Sequence, residues 1–326
     1  MTLANQTKLV TIFGGSGFVG RYIVRALAKR GYRIRVAVRR PDLAGFLRPL
    51  GYAGQIQLVQ ANLRYRKSID QAVAGADHVV NCVGILFESG KNSFDAVQEL
   101  GAKAVAEAAR AAGAKLTHIS AIGANTKSES SYARSKGRAE EAILQTLPNA
   151  VILRPSIVFG QEDNFFNKFA DMARTMPFLP LIGGGHTKFQ PIFVEDVAEA
   201  AARSVDGKVD GGKIYELGGP EVLTFKQCLE EVLRVTYRKR SFISIPFGVA
   251  SLMGSIASMV PLIAPPLTTD QVTLLKSDNV VSADAIKEGR TLEGLGIKGT
   301  LLSSILPSYL VRFRVHGQYT NAGKAA

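Results

Sequence analysis

Apolar and polar positions follow two different rhythms along the first half of the chain. Short runs rich in β-branched residues, "KLVTIF", "RIRVAVR", "IQLVQA", "HVVNCVG", "KLTHISA" and "AVILRPSIVFG", read as buried strands. Between most of them lie longer stretches dense in Ala, Glu, Lys and Arg, such as "GFVGRYIVRALAKRG" and "ELGAKAVAEAARAAGA", which read as helices. Strands separated by about ten or more helical residues cannot close as hairpins; they form βαβ units around a parallel sheet covered on both faces. Residues 1–160 are therefore expected to fold as an α/β, doubly wound parallel sheet of the Rossmann type.

The second half, 161–326, is less regular and predicts a smaller C-terminal α/β region. "PIFVEDVAEAAARSV" reads as a short strand, a turn and a helix opened by Glu195 and Asp196, with elements at about 190–205 returning to the core. "TFKQCLEEVLRVTY" reads as a helix capped by Thr224. Between Arg240 and Asp270 no residue is charged, and Val249, Leu252, Met253, Ile256 and Val260 follow helical spacing. Pro246 and Pro261 limit that helix to about 21 Å at 1.5 Å per residue, shorter than a hydrocarbon core of roughly 30 Å. The segment 242–267, with "YRKR" just upstream, suits an amphipathic element at a membrane interface or on a hydrophobic partner. The buried helix of a substrate-domain cap would produce the same pattern.

Charge and composition narrow the possible partners. The 40 Lys and Arg residues against 27 Asp and Glu leave a formal charge of +13, which favours an acidic partner: a phosphorylated cofactor, anionic lipid headgroups or another protein. The basic residues are scattered, with no long basic run or finger spacing, so no nucleic acid is expected. Cys82 and Cys228 lie far apart in sequence and suggest neither a disulfide framework nor a metal site. His78, His118, His186 and His316 show no ligand spacing and read as structural. The first strand begins by Lys8, so no signal or transit peptide is expected before the fold.

"VTIFGGSGFVGRYIVRAL" places Gly14, Gly17 and Gly20 after a strand and at the start of a helix. Gly14 allows the tight turn, Gly17 lets the backbone approach a pyrophosphate, and Gly20 lets the helix pack closely on the strand. The second strand ends in Arg39 and Arg40, where an NAD site would place an acid to accept from the ribose hydroxyls. Two arginines suit a 2′-phosphate, so the expected cofactor is NADPH; Asp42 nearby counts against it. The GxxGxxG spacing resembles the extended and atypical branches of the short-chain dehydrogenase/reductase superfamily. In those branches the third strand usually ends in an acid beside the adenine, where this chain has Asn62, and "NCVG" matches the fourth-strand element lying against the cofactor.

Within that superfamily a Tyr donates a proton to a substrate carbonyl, a Lys four residues on lowers its pKa, and a Ser orients the carbonyl. Tyr132 and Lys136 in "SSYARSKGRAEEA" have that spacing and share a helix face. "THISAIGA" offers Ser120, but Ala121 stands where the acting hydroxyl is expected. The pair therefore reads either as a catalytic couple or as a clamp on the nicotinamide ribose.

Together with "LRPSIVFGQEDNFFNKFA", "YELGGPEVLTF" and "PPLTTDQVTLLKSDNVVS", these motifs resemble the 39-kDa accessory subunit family of respiratory complex I (NADH:ubiquinone oxidoreductase) over roughly residues 8–310. The resemblance implies a non-catalytic subunit holding tightly bound NADPH, beside other complex I subunits near the quinone site, at the junction of peripheral and membrane arms. Carried over by position, the cofactor contacts are Gly14, Ser16, Gly17, Phe18, Gly20, Arg39, Arg40, Asn62, Val83, Tyr132, Lys136 and Pro155. It also implies the cytoplasmic face of a bacterial inner membrane, or the matrix side if eukaryotic. The alternative is a free NADP-dependent reductase or epimerase.

Overall fold

A computed structural model describes residues 7–258 and 268–319. The six apolar runs of the first half become β1 (Leu9–Phe13), β2 (Arg33–Val38), β3 (Ile56–Gln60), β4 (His78–Asn81), β5 (Lys115–Ile119) and β6 (Val151–Pro155). The helices between them are α1 (Phe18–Lys29), α2 (Arg66–Val73), α3 (Leu100–Ala111) and α4 (Ser131–Thr146), with a 3-10 segment at Pro41–Leu50. The chain continues through β7 (Val158–Phe159), α5 (Phe166–Thr175), β8 (Phe178–Ile182), β9 (Lys188–Phe189), β10 (Ile192–Phe193), α6 (Val194–Val205) and β11 (Ile214–Leu217). Beyond these come β12 (Leu223–Thr224), α7 (Phe225–Thr236), β13 (Ser241–Ile245), α8 (Phe247–Ser258), α9 (Thr269–Leu274), α10 (Ala283–Lys287) and α11 (Leu302–Leu310).

The seven-stranded sheet has the order β11-β6-β5-β4-β1-β2-β3, every pairing parallel. The order reverses at β1, which pairs with β2 on one side and β4 on the other. A doubly wound sheet opens its ligand crevice at such a switch point, beyond the carboxyl ends of the strands. The unit built on this sheet comprises the described residues as far as Pro155, together with Val194–Leu217 and Ser282–Lys298. One face is packed by alanine-rich α3 and by α2 and α4 around Leu116, Val79, Ile69 and Ile143. Small alanines let α3 lie close to the sheet without leaving voids.

The second unit takes Ser156–Phe193, Gly218–Val281 and the described residues from Gly299 on. Its core is aromatic, with Phe159, Phe166 and Leu306 in one cluster and Phe225, Phe189 and Leu229 in another. Thr224 caps α7 as expected and shares a full capping box with Gln227. Helix α8 begins directly after Pro246 and buries Ala250 against Ile182 and Val272. Val249, Leu252 and Met253 on the same helix stay 51%, 63% and 52% exposed, so these predicted face residues are not buried within this chain. Ile256 and Val260, and the part of the 242–267 segment from 259 on, lie outside the described side chains. Among the described residues no helix is long and apolar enough to cross a membrane.

Candidate functional site

The glycine loop is shaped by close approach. Gly14 has φ +74° and donates its N–H to Ala37 O at 3.1 Å, tying the end of β1 to β2. Its carbonyl accepts from Gly17 N–H at 2.9 Å, which closes the turn. A methyl group on Gly20 would stand 2.3 Å from that carbonyl and 2.7 Å from Gly15 Cα, so only glycine lets α1 start here. Gly17 is the N-cap of α1 and supplies no side-chain cap, so the first-turn amides remain available for an anion. Arg21 donates to the carbonyls of Ser16 and Gly17, which holds the loop from its outer side.

A cleft runs from this loop across the switch point. Phe13, Gly14, Ser16, Gly17, Val38, Arg39, Asn62, Cys82, Val83, Gly84 and Val97 are among its lining residues. Five of the cofactor positions expected from sequence lie in it together: Gly14, Ser16, Gly17, Arg39 and Asn62, with Val83 as a sixth. Asn62 accepts from Arg64 N–H at 3.1 Å through Oδ1. Asn81 likewise accepts from Val83 N–H at 3.1 Å and sets the turn that brings "NCVG" into the cleft. Phe18 packs edge-on against Tyr22 at 6.1 Å on α1, and Pro155 ends β6, where its carbonyl accepts from Ile122 N–H at 3.0 Å. Neither lines the cleft. Arg40 lines an adjoining recess shared with Ser16, Val38, Arg39 and Leu43.

Helix α4 presents Tyr132, Lys136 and Glu140 on one face. Ser130 starts the helix by accepting from Ala133 N–H at 3.1 Å, and Gly137 lets the preceding loop lie against it, since a Cβ there would stand 2.5 Å from Thr126 N. Tyr132 is half-buried and meets Phe94 edge-on at 5.8 Å. Lys136 is buried and donates to Ile119 O at 3.1 Å, at the end of β5. Burial pulls its pKa down to about 8, against the opposing pull of the Glu140 carboxylate one turn away. A Cβ on Gly84 would lie 3.4 Å from Lys136 Nζ, so the ammonium sits directly behind the cleft wall.

Ser120 proves not to be a free orienting hydroxyl. It is buried and donates to Glu140, whose carboxylate also receives Arg154 Nε at 2.9 and 3.1 Å. The next residue, Ala121, has no hydroxyl to offer. The Ser120 hydroxyl is thus committed to a buried ion pair rather than free to orient a carbonyl.

Gln98 is a residue that the sequence reading missed. It sits in a π-helical turn, Asp95–Glu99, leading into α3, and is 2% exposed. Its Nε2 donates to Ser135 Oγ at 3.3 Å, while its carbonyl oxygen is buried without a partner among the described residues and lies 3.7 Å from where a Gly84 Cβ would be. Such an orphaned acceptor beside a lysine behind a cleft wall fits a site that completes its polar contacts with a bound group. A π-turn marking a functional site was not legible in "FDAVQELGAKAV", which reads as plain helix. Taken together, the open first turn of α1, the glycine cradle, Arg39 and the Gly84 wall fit a dinucleotide.

The chain matches the NAD dependent epimerase/dehydratase family over residues 10–218. Over 322 residues it is 34% identical to the mitochondrial NADH dehydrogenase (ubiquinone) 1 alpha subcomplex subunit 9 of Arabidopsis thaliana, covering 95% of this chain and 79% of that protein. The chain belongs to this family of complex I subunits, within the epimerase/dehydratase group. A second relative, a ceramide reductase of Caulobacter vibrioides, is 36% identical over 190 residues, covering 58% of each protein. Among solved structures, an NADPH-dependent quinone oxidoreductase from Escherichia coli complexed with NADPH superposes with a TM-score of 0.69 at 22% identity. That match covers 90% of this chain and 97% of the other, and it shows a shared fold. Likeness to the complex I subunits thus extends through both compact units, whereas likeness to the reductase spans little more than half of the chain.

Proposed function

We propose that this protein is a non-catalytic, NADPH-binding accessory subunit of respiratory complex I. The observation that carries the reading is the 34% identity to a complex I subunit over 95% of the chain, whereas the 36% identity to a reductase spans only 58% of it. The site supports it. Tyr132 and Lys136 would clamp the nicotinamide ribose from one face of α4, while the hydroxyl needed to orient a carbonyl is absent at Ala121 and engaged by Glu140 at Ser120. When bound, the nucleotide would supply ordering of the cleft rather than redox chemistry. Gly14, Gly17 and the first turn of α1 would receive the pyrophosphate, and Asn62 would face the adenine. Saturation of such a site adds about 4 kcal/mol to stability at a thousandfold excess over Kd, which is role enough.

In this reading the exposed Val249, Leu252 and Met253 of α8 face other complex I subunits or the anionic lipid surface beside them, at the junction of the two arms near the quinone site. The location is peripheral, on the cytoplasmic face of a bacterial inner membrane, or the matrix side in a mitochondrion. Mass spectrometry of native complex I purified from the source membranes tests this directly; a complex lacking this chain would refute it. Acid extraction of the same complex should yield NADPH.

The ceramide reductase relative and the intact Tyr132 and Lys136 pair favour a second reading, an NADP-dependent carbonyl reductase. It requires steady oxidation of NADPH by the purified chain with a carbonyl substrate, abolished by Tyr132→Phe.

A further inference from the structure

Strand β2 ends in two consecutive arginines, and their surroundings differ. Arg40 places its guanidinium on the Asp42 carboxylate two residues on, with Nε 3.0 and 3.3 Å from the two oxygens and Nη2 2.7 Å from one of them. Pro41 lies between the two partners at the start of the 3-10 segment and restricts the backbone that joins them. Arg39, by contrast, makes no hydrogen bond or ion pair among the described residues. It lines both the main cleft, with Gly14, Ser16, Gly17 and Asn62, and the adjoining recess, with Ser16, Val38, Arg40 and Leu43. The recess is thus a cation-bearing shelf beside the adenosine end of the cleft, and only one of its two guanidinium groups is uncommitted.

We propose that Asp42 tunes cofactor specificity by withholding Arg40 from the 2′-phosphate of the nucleotide, which leaves Arg39 to carry it. The assignment rests on the NADPH reading given above and divides the labour within that site. A phosphate entering the recess gains a charge-assisted contact with Arg39 at no cost to an existing pair. To engage Arg40 it must displace a bidentate carboxylate, and the freed carboxylate then repels it. An exposed ion pair is screened by solvent and contributes little, so Asp42 tunes the preference for NADPH over NADH by several-fold rather than abolishing it.

The test is calorimetric titration of the nucleotide-stripped full chain with NADPH and with NADH, for the parent protein, Arg39→Gln, Arg40→Gln, Asp42→Asn and the Arg40→Gln/Asp42→Asn double variant. All three positions are exposed, and an unchanged circular-dichroism spectrum and urea midpoint of the nucleotide-stripped chain verify that each variant folds. Arg39→Gln should weaken NADPH binding about tenfold or more, the loss of one charge-assisted phosphate contact. Arg40→Gln alone should change it by less than about threefold, as expected for a group already held in an exposed pair. Asp42→Asn should tighten NADPH by about three- to tenfold, and the double variant should lose that gain, because the coupling runs through Arg40. If Arg40→Gln weakens NADPH as much as Arg39→Gln, or Asp42→Asn leaves it unchanged, the assignment is wrong. If the parent protein binds neither nucleotide, the NADPH reading itself falls.

Discussion

Glu140 on α4 and Arg154 on β6 form a buried pair in which both carboxylate oxygens receive Arg154 Nε, at 2.9 and 3.1 Å, while the same carboxylate takes the Ser120 hydroxyl. Their side chains are only 3% and 19% exposed. Arg154 also reaches Glu216 on β11 at 3.5 Å, so one guanidinium joins a helix to two neighbouring strands. Removing one partner of such a pair leaves an uncompensated charge. Glu140→Ala should therefore lower stability by about 3–5 kcal/mol in urea unfolding. A loss below about 1 kcal/mol would mean that the carboxylate is dispensable, as exposed pairs are.

Gly17 and Gly20 differ in what a side chain would meet, and their substitutions should fail differently. At Gly17 an added Cβ contacts only Gly14 O, at 3.2 Å, in an exposed position. Gly17→Asp should fold, yet lose its nucleotide because a carboxylate then faces the pyrophosphate. Gly20→Ala drives a methyl to 2.3 Å from Gly14 O and should cost about 1–3 kcal/mol even in the absence of nucleotide. Nucleotide extraction and urea unfolding of both variants check the contrast, and retained nucleotide in Gly17→Asp would contradict the loop assignment.

Lys136 links the site to alkaline pH. Its pKa falls from 10.5 in an open chain to about 8 when folded, because burial penalises the ammonium. The penalty is fully present below pH 8 and is relieved as pH rises from 8 to 10.5, where the unfolded chain still holds the proton. At 1.36 kcal/mol per unit this is about 3 kcal/mol. The stability of the parent relative to Lys136→Met should rise by roughly that amount across this window. Comparing the two proteins largely cancels Cys228, whose thiol burial pushes up to about 12; Cys82 and Glu140 face Lys136 itself and belong to the measured effect. A flat difference from pH 7.5 to 10.5 would indicate that water reaches Lys136.

On the acid side, His78 and His118 are buried and held neutral. Burial pulls His78 down to about 3, with Lys115 adding to it, and holds His118 well below the usual range, with Lys136 adding to it. The unfolded chain takes up those protons near pH 6.5, so stability is whole above that pH and falls as pH drops from 6.5 toward 3, by up to about 1.4 kcal/mol per unit for each ring. Neither ring nitrogen of His118 has a hydrogen-bond partner among the described residues. His118→Leu should therefore stabilise the protein by about 1–3 kcal/mol at pH 7 and lessen its acid sensitivity. Destabilisation at pH 7 would show that the ring is hydrogen-bonded after all.

The parallel sheet and the glycine loop were legible in the sequence because each depends on short-range rules. Burial on both faces of a parallel sheet demands continuous apolar runs, and these six runs became six adjacent strands of the sheet. The turn at Gly14 and the helix start at Gly20 depend on the absence of a Cβ, which the one-letter code states outright. Thr224 capping α7 was visible for the same reason, since its partner Gln227 lies three residues away.

What tertiary structure decided were the partners. Ser120 could be read as a strand-end hydroxyl, but its acceptor, Glu140, comes from α4 and is fixed in turn by Arg154 from β6. Gln98 read as a helix residue, until a π-turn set its unpartnered carbonyl oxygen behind Gly84. Arg39 and Arg40 were equivalent in the sequence, and only the placement of Asp42 separates them. Periodicity fixes which face of an element is buried, because that depends on neighbours along the chain. Which polar group meets which depends on side chains brought together from distant elements, and only the packed chain sets those distances.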